Sequence, residues 1–66
     1  MLREVFNRRR AESGMTFDAL AEATGVSRRS LLNISAGVSH GDLRTWLILA
    51  HTWGTGLDEL LESVWR

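Results

Sequence analysis

The sequence predicts an all-α fold, and three observations carry that reading. Proline is absent, apolar residues recur at intervals of three and four with little strict alternation, and the stretches so patterned are preceded by threonine, serine or aspartate and closed by glycine. The chain of 66 residues makes one small domain, spanning 1–66, which buries roughly 60% of the surface its unfolded chain would expose.

The first helix is expected over Leu2 to Ser13, with Leu2, Val5 and Phe6 on one stripe and Gly14 ending it. Arg9 lies near that stripe, where its stem covers apolar surface while the guanidinium reaches water or a phosphate. Met15 is expected in the core. Thr16 then caps a second helix, its hydroxyl accepting from an open N–H of the first turn. Leu20 faces inward, and small Ala21 beside it admits a close neighbour. Gly25 ends the helix, Val26 plugs the corner, and Ser27 caps a third helix in which Leu31 and Ile34, three apart, face the core. At about 100° per residue, Arg28, Arg29, Leu32, Asn33 and Ala36 then cover the opposite face. Gly37 closes that helix. Residues 36 to 41, AGVSHG, form a loop, and Asp42 caps a fourth helix over about Leu43 to Trp53. Leu43, Trp46, Leu47, Ala50 and Trp53 are its expected core face, with Ile48 pointing away. Gly54 and Gly56 make the last turn, where Gly56 is a weaker cap than serine. Leu57, Leu60, Leu61 and Val64 form the stripe of a fifth helix, with Trp65 at its flank.

Residues 16–37, TFDALAEATGVSRRSLLNISAG, thus read as a helix-turn-helix. With Leu20, Ala21, Gly25, Val26, Ser27, Leu31 and Ile34 in one register and Gly37 closing the second helix, the stretch resembles the Cro and lambda-repressor (XRE) type of DNA-binding domain. LRTWLILAHTWGTGLDELL resembles the last two helices of that family, so the likeness covers nearly the whole chain. It implies a compact five-helix lambda-repressor-like domain with the helix-turn-helix at helices 2 and 3. Two positions depart from the family. Phe17 stands where it prefers a glutamine that touches phosphate, and Ser35 stands where a glutamate would pair with Arg10. Phe17 therefore either packs over the first helix or makes an apolar contact with DNA; Arg10 is freed for phosphate or finds another acceptor.

The function implied is sequence-specific binding of double-stranded DNA by a small repressor or Cro-like regulator that acts by occupying a near-palindromic operator as a homodimer. An antitoxin or restriction-modification controller of the same fold, and a protein-interaction module that has lost DNA binding, are the alternatives. In the major groove the expected base contacts are Ser27, Arg28, Arg29, Leu32 and Asn33. Arginine forks onto guanine, asparagine pairs with adenine, and Leu32 or Ala36 meets a thymine methyl. Thr16, Phe17, Arg10, Ser39 and His40 are the expected backbone contacts, which set register.

Composition excludes other classes. There is no cysteine for a disulfide or a thiolate metal site, and the two histidines lie too far apart in sequence to suggest a ligand pair, so neither metal nor cofactor is expected. No nucleophile stands with a base at plausible spacing and no glycine loop cradles phosphate, so the chain is not expected to be an enzyme or to take a small-molecule ligand. No apolar run approaches a membrane span and MLREVF carries no signal core, so a cytoplasmic protein is expected. Net charge is zero but unevenly spread. Residues 1–40 hold six arginines against four acids, and residues 41–66 hold two against four. That asymmetry turns the helix-turn-helix half toward a polyanion.

Overall fold

Helix ends leave backbone groups without partners, and in this chain side chains cap three helix starts while left-handed glycines close three helix ends. The computed structural model describes Met1–Arg66. It is all-helical: α1 (Leu2–Ser13), α2 (Phe17–Thr24), α3 (Arg28–Ala36), α4 (Leu43–Thr52), α5 (Leu57–Leu60) and α6 (Glu62–Trp65). Thr16 Oγ1 accepts from the N–H of Ala19, Ser27 Oγ from that of Ser30 and Asp42 Oδ1 from that of Thr45, so α2, α3 and α4 start at the three expected caps. Between α2 and α3 the chain must turn within three residues. Gly25 makes that possible at φ 75°, a left-handed conformation open to glycine without steric cost. Thr24 braces the turn, its hydroxyl donating to the Leu20 carbonyl and accepting from Val26 N–H.

The core centres on Phe6, which is fully buried. Its ring lies 6.3 Å from Phe17 in a stacked arrangement, and Trp46 and Trp53 meet it edge-on at 6.4 and 5.9 Å. These separations fall in the range where aromatic pairs attract beyond their buried area. Val5, Leu20, Leu31, Ile34, Leu49, Ala50 and Leu60 complete the buried set. α3 packs on both α1 and α2, and α4 bridges α2 and α5. No helix is long and apolar enough to cross a membrane.

Two expectations for the C-terminal part are corrected. On α4 the inward residues are Trp46, Leu49 and Ala50, with Trp53 at the helix end; Leu43 and Leu47 are 66% and 49% exposed, and Ile48 is partly buried. Residues 47–50 are apolar without a break, so the stripe can be drawn through Leu47 or through Leu49. Leu49, at i+3 from Trp46, lies nearer the middle of the face shared by Trp46, Ala50 and Trp53. Leu43 lies in the first turn and is exposed there. The fifth helix is also divided. Leu61, at φ −98° and ψ 14°, separates α5 from α6, and the Val64 N–H reaches back only three residues, to the Leu61 carbonyl. Val64 consequently leaves the expected stripe and is exposed, while Leu60 is fully buried.

Candidate nucleic-acid interface

α3 is held from behind by Leu31 and Ile34, both buried, and these two fix which of its residues face outward. Arg28, Arg29 and Ala36 are exposed, and Leu32 and Asn33 are partly buried. Arg28 Nε lies 2.9 Å from Asp18 Oδ1 on α2. The Arg28 side chain stays 59% exposed, so the guanidinium remains accessible beside this partner. The pair is well exposed and contributes about 0 to 1 kcal/mol. The other ion pair of the chain joins Arg66 to Glu62, which leaves Arg29 unpaired. Asn33 lines a shallow cleft between α3 and the start of α4 together with Ser30, Ser39 and Thr45.

Ser27 is occupied within the turn: its hydroxyl accepts from Ser30 N–H and donates to Ser30 Oγ at 2.8 Å. Thr16 is likewise bound to its own helix as a cap. Phe17 packs inward against Phe6, and the Arg10 guanidinium carbon lies 4.4 Å above the Phe17 ring centre, a cation–π contact. Arg10 also donates to the Met15 carbonyl at 3.0 Å. It has thus found one acceptor inside the fold, while its Nε is buried without a partner, and of the two readings of Phe17 the packing one describes its place here.

The partner that Ser35 takes instead was missed from sequence. Asn7, one turn before Arg10 on α1, donates to the Ser35 carbonyl at 3.0 Å and accepts from the Ser35 hydroxyl at 2.5 Å. A neutral two-point clasp thus joins α1 and α3; no local pattern announces a contact between residues 28 apart.

The loop after α3 is tied to the core. Trp46 Nε1 donates to the His40 carbonyl at 2.7 Å, and a Cβ on Gly41 (φ 74°) would fall 3.0 Å from Ile34 Cδ1 and 3.1 Å from Trp46 Nε1. Ser39 Oγ accepts from Gly41 N–H. Backbone is thereby pinned while Ser39 and His40 stay exposed. At the head of α4, hydrogen bonds from the Thr45 hydroxyl and backbone N–H hold the Asp42 carboxyl below its ordinary value of 3.8.

Compared with family models, curated proteins and solved structures, the chain finds no match.

Proposed function

We propose that this chain is a sequence-specific double-stranded DNA-binding domain of the helix-turn-helix kind, with α2 and α3 as the motif within a lambda-repressor-like arrangement whose fifth helix is split into α5 and α6. The observation that carries this reading is the guanidinium fork of Arg28, exposed at the start of an α3 anchored by Leu31 and Ile34, with Asp18 of α2 as its one ionic partner. Such a fork matches O6 and N7 of guanine. Arg28 is therefore the base reader of the two arginines, Arg29 its neighbour toward the groove wall, and Asn33 the candidate for adenine. The protein acts as a small repressor by occupying its operator, with localisation in the cytoplasm.

A domain of this size reads few base pairs, so two copies on a near-palindrome, with recognition helices about 34 Å apart, double the contacts. Leu43 and Leu47 on α4 and Val64 and Trp65 on α6 are exposed apolar side chains available to such a dimer. The same side chains favour, as a second reading, a module that docks another protein.

Selection of sites from a random duplex pool, followed by affinities on single-base variants, tests the proposal. Arg28→Ala should cost about 1 to 3 kcal/mol and flatten preference at one base pair per half-site. Recovery of no enriched site, or an Arg28→Ala protein that keeps every base preference, would sink this reading and favour the docking module.

A further inference from the structure

The first turn of α1 crosses the end of α3, and a narrow cleft opens there, lined by Met1, Leu2, Arg3, Gly37, Ser39 and His40. Arg3 lies directly on Gly37: a Cβ at that glycine would stand 3.2 Å from Arg3 Cδ and 3.5 Å from Nη1. Glycine at this point therefore does two things. It closes α3, and it leaves room for an arginine stem.

The simplest role for a cation at a helix C-terminus is to meet the open carbonyls. Here three of the last four are already met, and Arg3 makes no hydrogen bond to the fourth, that of Ala36. The Asn33 carbonyl accepts from the N–H groups of Val38 and Ser39, the Ile34 carbonyl from that of Gly37, and the Ser35 carbonyl from Asn7 Nδ2. Neither ion pair of the chain involves Arg3. An exposed guanidinium with its donors unspent is thus held beside one hydroxyl and one imidazole, and no carboxylate lines the cleft. The contrast with the two other arginine-lined clefts is informative. In one, Arg8, Arg9 and Arg66 share the walls with Glu59 and Glu62, and in the other Arg9 faces Glu12, so carboxylates offset the charge in both.

We infer that the α1–α3 cleft holds a backbone phosphate of the duplex, with Arg3 as its cation and Ser39 and His40 as flanking donors. This rests on the DNA-binding reading and extends it to α1, outside the helix-turn-helix. Arg28 and Arg29 stand at the start of α3 and the cleft at its end. A guanidinium can fork onto two phosphate oxygens as it does onto a carboxylate. Its contribution is positioning, without information about base identity.

The test uses the full chain and a duplex the wild type has selected. Affinities are measured across a salt series on that duplex and on its single-base variants, for wild type, Arg3→Gln and Arg3→Lys, with thermal unfolding as the check on folding. Arg3→Gln is expected to weaken every duplex by the same factor, on the order of tenfold at 0.1 M salt, and to lower the log-log salt slope by about one, whereas Arg3→Lys keeps the slope. If Arg3→Gln proves unfolded, His40→Gln combined with Ser39→Ala replaces it, and uniform weakening across duplexes is again the expected result. A wild-type salt slope in a folded Arg3→Gln protein overturns the phosphate site while DNA binding stands, and a loss confined to one base pair overturns it in favour of base reading. A wild type that selects no duplex removes both the site and the function it extends.

Discussion

The α2–α3 pair and the α5–α6 pair share a plan, two short helices joined by a tight connection, yet they are held with very different strength. In the first pair both helices begin on a side-chain cap, the turn is braced by Thr24, and Leu20, Leu31 and Ile34 are buried against α1 and α4. In the second, neither helix has a side-chain cap, each is four residues long, and Leu60 is the one buried side chain. Helices this short do not persist alone in water, so each is as stable as its packing and caps make it. The face proposed to read DNA thus sits on the pair whose geometry is fixed from several directions. A site displaced by an ångström loses its hydrogen bonds, whereas an apolar surface that meets a partner tolerates adjustment.

The largest effect that would break this comparison comes from its two ends. Leu31→Ala removes a side chain shared by α2, α3 and the core and should cost about 2 to 5 kcal/mol, much of what a core of this size supplies. Val64→Ala, on the exposed side of α6, should stay within about 0.5 kcal/mol. Denaturant titration of both variants decides it; similar losses would mean the C-terminal pair is as firmly docked as the motif.

A smaller effect sharpens the contrast by partly erasing it. Gly56 precedes α5 with extended backbone (φ −76°, ψ 154°), and a Cβ there would meet nothing within 4 Å. Gly56→Ser should therefore add the missing acceptor and raise stability by a few tenths of a kcal/mol, seen as slower amide exchange in residues 57–60. Unchanged or faster exchange would show that the cap does not limit α5.

The smallest effect is a dependence on pH at the head of α4, between the two pairs. Because the Asp42 carboxyl is lowered from 3.8 by its bonds to Thr45, the stabilisation it gives is complete above that value and lost as pH falls through the lower native one. Asp42→Asn keeps an acceptor at the cap but cannot titrate. Thermal midpoints followed into acid should fall less steeply for this variant than for wild type, and parallel curves would refute the linkage.

What could be read from the sequence was local. The bounds of α1, α2 and α3 follow from Thr16, Ser27 and the glycines behind each helix, because caps act within one turn of the residue that supplies them. The outward face of α3 follows from Leu31 and Ile34 for the same reason. Across 47–50 the pattern is ambiguous, and the choice of Leu49 over Leu47 belongs to the packing of α4 on its neighbours. The break at Leu61 has no glycine or proline to announce it. Within the candidate site, Arg28 and Asn33 were visible on the helical wheel, whereas the Asp18 brace, the Asn7–Ser35 clasp and the place of Arg3 beside Gly37 are tertiary. They join residues on different helices, and no periodicity encodes which pairs will meet.

The unequal burial of the three tryptophans turns the chain into its own optical reporter. Trp46 is 4% exposed and hydrogen-bonded through its indole, Trp53 leans on Phe6, and Trp65 is 68% exposed. Intrinsic emission is therefore a superposition of a blue component shielded from collisional quenchers and a red component open to them. The shielded one is wired to the proposed interface, since the Trp46 indole holds the carbonyl of His40, whose residue lines the Arg3 cleft. A shift of that shielded component on adding duplex would report the cleft from a ring outside its lining, with no label attached.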